Sequence, residues 1–135
     1  MSEGHDAGDR GLLDTHIWLK SLGNNLNFDG LKKLQMLNLE EDQVDDQGIA
    51  HVKWLKDLMI LGLNKTKVSD AGLVHLNGLK SLTTLYLSNT GITDEGLEHL
   101  LSLKSLQELD VTGTSVTDAG VDKLKEALPS CKIYR

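Results

Sequence analysis

Hydrophobic residues recur along most of the chain in a fixed order of spacings. Leucines first lie two residues apart, as at Leu61 and Leu63, and then three apart, as at Leu73, Leu76 and Leu79. Alternation at every second residue predicts a short strand with one buried face. Apolar residues three apart predict a helix with one apolar side. The chain is therefore expected to alternate short strands with short helices.

This order of residues returns every 24 positions, in four tandem copies over residues 31–126 without an insertion or deletion. Each copy follows the pattern LxxLxxLxLxxTxITDxGLxxLxx, which is plainest at residues 79–102. One strand and one helix cannot bury their apolar sides alone, so the copies must stack. Strands stack about 4.8 Å apart and helices about 8–10 Å apart, which curves the stack towards its sheet. The predicted fold class is α/β, a right-handed β-α solenoid with a concave parallel sheet and short convex helices.

Each helix is expected to begin at a hydroxyl residue followed by an aspartate. The side-chain oxygens of such residues accept hydrogen bonds from the free amides of a first helical turn. Either residue of a pair can be the cap, for example Thr93 or Asp94, and the pattern does not decide between them. In the first copy the pair is Asp45 with Asp46. The other pairs are Ser69 with Asp70 and Thr117 with Asp118.

The two ends of the chain depart from the repeat. Residues 1–30 are expected to form a disordered start followed by an amino-terminal cap, in which an amphipathic helix covers the first repeat. Residues 127–135 are expected to form the carboxy-terminal cap. Adding 24 to Leu109 gives Ile133, so a last partial strand is predicted from Cys131 to Tyr134.

These repeats resemble the leucine-rich repeat family, whose pattern is LxxLxLxxN or LxxLxLxxC. The sequence departs from that pattern at its last position, where we expect each threonine hydroxyl to bond to the backbone inside its own turn. The residues at this position are Asp42, Thr66, Thr90 and Thr114. The TDxGL run is similar to short bacterial repeats and to the repeat tails of F-box proteins, although no F-box precedes it here. The resemblance implies a leucine-rich repeat solenoid that recognises other proteins.

Composition and charge disfavour several partners and locations. The chain has 20 acidic and 14 basic residues and a formal net charge of -6, which argues against nucleic acid or an anionic membrane as its main partner. No apolar run of about 18 residues is present to cross a membrane, and the amino terminus does not resemble a secretory signal. Cys131 is the only cysteine, which favours a reducing compartment and hence the cytoplasm. A monomer is expected.

Three groups of residues are candidates for chemistry. Residues 12–16 resemble the opening strand of PIN-type nucleases, whose metal-binding aspartate would be Asp14, but that fold needs further carboxylates in a domain that the repeats already occupy. His51, His75 and His99 hold one repeat position, and ligands spaced by a helix-packing distance do not converge on one metal. Residues 40–46 carry five carboxylates without the EF-hand spacing, so an acidic rim is favoured over a calcium site. We therefore expect no enzyme, no metal and no cofactor, with the nuclease as a remote alternative.

Function is expected at the side chains that alternate with the buried strand leucines, because they vary between copies while the leucine columns do not. An apolar centre with an acidic rim is predicted there, as in many protein-binding patches. The predicted binding residues of the concave face are Met36, Asn38, Glu40, Met59, Ile60, Asn64, Thr84, Tyr86, Ser88, Glu108, Asp110 and Tyr134. The predicted function is non-enzymatic recognition of a protein or peptide of apolar and basic character. The alternative is a structural or assembly subunit that docks through its cap or convex surface.

Overall fold

A computed structural model of the chain describes residues 33–41 and 43–135. Short strands alternate with short helices along these residues. The strands are β1 (Met36–Asn38), β2 (Ile60–Gly62), β3 (Thr84–Tyr86), β4 (Glu108–Asp110) and β5 (Lys132–Tyr134). The α-helices are α1 (Asp46–Ile49), α2 (Asp70–Leu73), α3 (Asp94–Leu97) and α4 (Asp118–Ala127). The first three continue directly into 3₁₀ helices, at Ala50–Trp54, Val74–Leu76 and Glu98–Leu100.

The five strands form one parallel sheet in the order β1-β2-β3-β4-β5. Each residue pairs with the one 24 positions later, so Leu37 lies opposite Leu61, Leu61 opposite Leu85, and Leu85 opposite Leu109. The uninterrupted repeat length fixes this register, because a single inserted residue would turn the leucines of one strand to the other face. The predicted α/β class, with a parallel sheet and short helices, is confirmed. A strand also forms near the end of the chain, where Ile133 lies opposite Leu109.

The core lies between the sheet and the helices. It is built from columns of aliphatic residues, one per repeat, whose side chains are almost completely removed from solvent. The strand columns contain Leu61, Leu85 and Leu109, and the helix columns contain Leu73 and Leu97. Each repeat therefore buries its apolar side against its neighbours rather than within itself.

The turn after each strand is closed by a threonine. The hydroxyl of Thr66 donates to the backbone oxygen of Leu63 at 2.8 Å, and Thr90 and Thr114 repeat the contact at 2.6 Å. Thr66 and Thr90 are the buried polar residues of the described core. The expected threonine contact inside the turn is thus confirmed at the three threonine positions, and Asp42 lies outside the described residues.

The residue that caps each helix is the one before the aspartate that recurs in every repeat. The Oγ atoms of Thr93 and Thr117 accept backbone N–H groups of the first helical turn, each at 3.3 Å. Asp45 does the same for α1, with its Oδ1 atom 2.9 Å from the amide nitrogen of Gln47. Ser69 is the exception, since its side chain makes no cap hydrogen bond. At Ser69 the predicted side-chain cap bond is absent, and the hydroxyl donates to Asp46 of the preceding repeat.

The aspartates themselves bond to the following repeat. Asp70 Oδ1 accepts the backbone N–H of Thr93 at 2.8 Å, and its Oδ2 accepts the Thr93 hydroxyl at 2.5 Å. We call this arrangement the inter-repeat clamp. It comprises the pairs Asp46 with Ser69, Asp70 with Thr93, and Asp94 with Thr117. The series stops at Asp118, which pairs with Arg135 at 2.9 Å.

The charge on the clamp carboxylates fits their role as acceptors. The hydrogen bonds from Thr117 lower the pKa of Asp94, because they stabilise the ionised carboxylate. Two bonds to a charged acceptor also hold neighbouring repeats at a fixed offset. The clamp therefore adds a polar ladder along the helix side of the aliphatic columns.

The described residues do not include the predicted amino-terminal cap, but they can be searched for a helix that could cross a membrane. The amino-terminal cap predicted for residues 1–30 lies outside the described residues. In the part that the structure describes, no helix combines the length and apolar character needed to cross a membrane.

Candidate binding face

Every second residue of the strands, except the buried Gly62, is at least partly accessible on the side of the sheet away from the core. Leu85 is buried at the centre of β3, while Thr84 and Tyr86 on either side of it remain partly accessible. We call this surface the sheet face. It consists of two rows that run across the strands. The first row is Met36, Ile60, Thr84, Glu108 and Lys132, and the second is Asn38, Gly62, Tyr86, Asp110 and Tyr134.

The two ends of the sheet face differ in chemical character. Met36 on β1 is 40% exposed, and Ile60 on β2 is half-buried, so the first strands present apolar area. Glu108 and Asp110 are half-buried on β4 and present carboxylates. Tyr86 lies between these two regions on β3. The predicted apolar and acidic residues are therefore brought onto one surface, where carboxylates lie on both sides of Tyr86, from Glu108 and Asp110 on β4 and from Glu40 after β1.

Tyr86 lies in a negative environment. Burial raises the pKa of its phenol, and the neighbouring carboxylates of Glu108, Asp110 and Glu40 raise it further. Each of these influences disfavours a phenolate, because the ionised ring would be poorly solvated and close to like charge. Tyr86 therefore stays neutral at physiological pH and offers an aromatic ring with a hydroxyl at its tip.

Several predicted binding residues also support the backbone. The Oδ1 atom of Asn38 accepts the backbone N–H of Glu40 at 2.9 Å, and Oδ1 of Asn64 accepts that of Ser88 at 2.7 Å. Asn38 also lies over Gly62, where an added Cβ would come within 3.0 Å of its Oδ1 atom. The side chains of Asn38 and Glu40 therefore cover Gly62, which is buried. Glu40, Asn64 and Ser88 follow the strands in the turns, and the Glu40 carboxylate reaches back to within 3.5 Å of the Cβ position of Gly62.

Met59 was predicted to belong to the sheet face but lies outside it, whereas Lys132 was not predicted but lies on it. Met59 is 39% exposed but precedes β2, where it lines a hollow of about 570 Å³ with Thr83 and Gln107. That hollow contains no sheet-face residue, so Met59 lies beside the sheet face rather than within it. Lys132 was not predicted, although it pairs with Glu108 in the first row. Adding 24 to Glu108 finds Lys132, as the same step finds Tyr134 from Asp110.

The other candidate groups do not assemble a site. His51, His75 and His99 lie on successive 3₁₀ helices, and no group of three metal-ligating side chains occurs in residues 33–41 and 43–135. Asp45, from the acidic run, caps α1. The nuclease-like segment at residues 12–16 lies outside the described part of the chain.

The single thiol is placed as a core residue. Cys131 is 4% exposed, and its burial raises the pKa of the thiol to about 11 from an ordinary value of 9.0, with Glu108 contributing. The thiolate is the reactive form. At pH 8 the folded protein should therefore react with a disulfide reagent roughly 100-fold more slowly than the same chain in denaturant. Ellman's reagent measures both rates, and equal rates would contradict the burial of Cys131.

A comparison with protein families finds a match over the third and fourth repeats. The family model described as "Leucine Rich repeats (2 copies)" matches residues 80–126. The match covers β3, β4, the clamp residue Asp94 and most of α4. These two repeats match the leucine-rich repeat family, and the described residues have the leucine-rich repeat fold. Proteins of this family generally mediate protein–protein interactions and are typically not enzymes.

Solved structures of bacterial leucine-rich repeat proteins are similar to this one. A leucine-rich repeat protein of Leptospira interrogans matches with 25% identity and a TM-score of 0.59, over 76% of this chain and 25% of that one. Internalin C2 of Listeria monocytogenes matches with 24% identity and a TM-score of 0.64, over 78% of this chain and 43% of that one. An internalin F of the same species matches with 18% identity and a TM-score of 0.53, over 78% and 35%.

The two internalins support the fold alone. In each of these comparisons the chain spans less than half of the matched protein. A search of curated protein sequences finds no match.

Proposed function

We propose that this leucine-rich repeat protein is a non-enzymatic recognition module that binds a protein or peptide on its sheet face. The observation that carries the proposal is the distribution of chemistry over the repeats. The buried columns are nearly constant, whereas the sheet face combines Met36 and Ile60 with Tyr86 and two carboxylates. A surface that joins apolar, aromatic and charged groups matches the composition of protein-binding patches. The general role of the family in protein–protein interaction supports the same function.

The chemistry of the sheet face also suggests what a partner would present. Among the described residues, neither Glu108 nor Asp110 takes part in an ion pair. A basic partner would therefore gain charge pairing without displacing an existing pair. Apolar side chains of the partner would cover Met36 and Ile60. We propose a partner with basic and apolar character, bound by a single copy of the chain.

A second candidate function is supported by the opposite side of the molecule. Trp54 is 61% exposed at the end of a 3₁₀ helix, with Lys53 Nζ 5.0 Å from the centre of its ring. Val74, also on the helix side, is 40% exposed. Exposed tryptophan is enriched at interfaces. Trp54 and Val74 would serve a structural or assembly role in which the helix side docks into a larger complex.

The two functions are separated by substitutions taken from neighbouring repeats. Ile60→Glu with Tyr86→Asp places on the sheet face residues that already hold those positions at Glu108 and Asp110. Trp54→Ser with Val74→Glu does the same for the helix side, where Ser102 and Glu98 occur. Both double variants should therefore fold, and circular dichroism checks that they do. Partners captured from native extract are identified by mass spectrometry and then measured as purified proteins.

We expect the sheet-face variant to weaken partner binding at least 10-fold, since central interface side chains carry most of the affinity. The helix-side variant should bind within about twofold of the original protein. Isothermal titration calorimetry on the purified partner measures both values. The reverse result, with binding lost only in the helix-side variant, would replace recognition by the assembly role.

A further inference from the structure

Two tyrosines flank one carboxylate in the second row of the sheet face. Tyr86, Asp110 and Tyr134 occupy the same register position on β3, β4 and β5. Neighbouring strands are about 4.8 Å apart, so the two tyrosine backbones are about 10 Å apart with Asp110 midway between them. Side chains in one register position leave a parallel sheet on the same side. The tyrosine rings therefore rise on either side of the aspartate.

These three side chains remain able to contact a ligand. Tyr134 is 46% exposed. Asp110 uses its Oδ1 atom to accept the backbone N–H of Thr112 at 2.9 Å, and neither it nor Glu108 forms an ion pair with any described residue. Lys132 pairs with Glu108 in strand register, yet it makes no ion pair within the described chain. The site keeps an uncompensated carboxylate between two tyrosines.

This combination favours a cation over any other group. The face of a tyrosine ring is the negative region of its quadrupole, and it attracts a cation placed above it. Asp110 and Glu108 add Coulombic attraction from the floor of the site. A planar guanidinium can stack on a ring and donate to a carboxylate at the same time, which an ammonium cannot match. Arginine is therefore the side chain that fits best.

A second anchor lies at a defined distance from this position. Ile60 is two strands and two residues away from Asp110, a separation of about 12 Å from the strand spacing and the rise per residue. An extended peptide advances about 3.3 Å per residue. Side chains of an extended chain face the same way only at even spacings, so an apolar side chain on Ile60 and a cation over Asp110 would lie four residues apart in an extended partner.

We propose that the sheet face binds an extended peptide segment in which an arginine lies four residues from an apolar side chain. The guanidinium occupies the space between Tyr86 and Tyr134 above Asp110, and the apolar side chain covers Ile60 and Met36. The proposal rests on the proposed function of the sheet face and specifies which partner sequence that face selects.

Synthetic peptides test the proposal on the intact chain. Each peptide carries one leucine and one arginine in a glycine-serine background, with the arginine two to six residues before or after the leucine. A second set replaces arginine by citrulline, which keeps the shape and removes the charge. The full-length ¹⁵N-labelled protein is titrated with each peptide, and amide shifts in β2 to β5 report the bound position and the affinity. The matched protein variants are Asp110→Asn and, on the helix side, Asp122→Asn.

We expect saturable shifts that are strongest at a spacing of four and weaker at three and five, with citrulline weakening the binding at the optimal spacing at least threefold. Asp110→Asn should lower the affinity for the arginine peptide to the citrulline level and leave the citrulline peptide unchanged. Asp122→Asn removes the same charge elsewhere and should change neither affinity. Tyr134→Leu should also weaken only the arginine peptide, because it removes one ring of the site.

Three results would overturn the inference. They are equal affinities for arginine and citrulline peptides, equal losses in Asp110→Asn and Asp122→Asn, and the absence of saturable shifts up to about 5 mM peptide. Equal binding of both peptide sets, still centred on the sheet face, would reject the arginine site while leaving the proposed recognition function in place. The recognition function fails separately, if a purified partner ignores the Ile60→Glu and Tyr86→Asp substitutions.

Discussion

Replacing Leu85 by alanine is expected to lower the free energy of unfolding by about 3–4 kcal/mol. Leu85 is completely buried at the centre of β3 and lies in register with Leu61 and Leu109. The substitution removes three buried carbon atoms and leaves a cavity between two neighbouring repeats. Because the repeats above and below hold the backbone in place, the cavity cannot collapse fully. The loss should therefore lie well within the range for buried leucines.

Urea unfolding followed by circular dichroism measures this effect, and Leu101→Ala is the matched control. Leu101 undergoes the same chemical change but lies at the end of a 3₁₀ helix, outside the columns and only partly buried. Its substitution should cost about 1 kcal/mol or less, in proportion to the smaller apolar area that it removes from water. Similar losses for the two variants would contradict the central position of Leu85. A changed urea dependence would indicate that the repeats no longer unfold together.

The sheet was predictable because its arrangement depends only on repeat length. An uninterrupted period of 24 residues fixes which residues pair, so the opposition of Leu37 to Leu61 follows from counting. The same counting places Tyr134 opposite Asp110, as the structure does. It also places Lys132 opposite Glu108, a residue that the predicted binding set did not include.

The form of the helices was less predictable. The spacing of Leu73, Leu76 and Leu79 indicated a helix, but the structure gives one α-helical turn followed by a 3₁₀ helix. Three residues per turn is the period of a 3₁₀ helix, whereas an α-helix alternates spacings of three and four. The strictly threefold spacing of these leucines was therefore a sign of 3₁₀ structure, because an α-helix would have alternated spacings of three and four residues.

Contacts between side chains of different repeats were the least predictable part. The sequence showed a hydroxyl residue before the aspartate in three repeats and Asp45 before Asp46 in the first. It left open whether Thr93 or Asp94 caps its helix. The structure assigns the cap to Thr93 and directs Asp94 to Thr117 in the next repeat. Such a contact depends on the offset between stacked repeats, which local sequence does not contain. The recurring glycine two residues after each aspartate was the available sign, since it leaves room for the carboxylate of the preceding repeat, as Gly96 does for Asp70.

Replacing Gly96 by alanine is expected to destabilise the protein by about 1–3 kcal/mol, against the usual preference of helices for alanine. A Gly→Ala change inside a helix normally stabilises it by up to about 1 kcal/mol. Here the new methyl group would overlap Asp70 Oδ1 and approach Asp70 Cγ to 3.0 Å. Asp70 would have to move and release both hydrogen bonds from Thr93, each worth about 1 kcal/mol or more with a charged acceptor. The lost clamp therefore outweighs the gain in helix propensity.

A double-mutant cycle with Asp70→Ala isolates the clamp. Without the carboxylate, the Gly96→Ala substitution no longer displaces a hydrogen-bonded side chain, so its effect should become neutral or slightly stabilising. The coupling energy between the two sites should then be about 2 kcal/mol. Gly78→Ala is the matched control, because its methyl group would meet only the flexible Nζ atom of Lys56 at 3.1 Å. We expect Gly78→Ala to change the free energy of unfolding by less than about 1 kcal/mol. Additive effects of Gly96→Ala and Asp70→Ala would show that the glycine is needed for a reason other than the clamp.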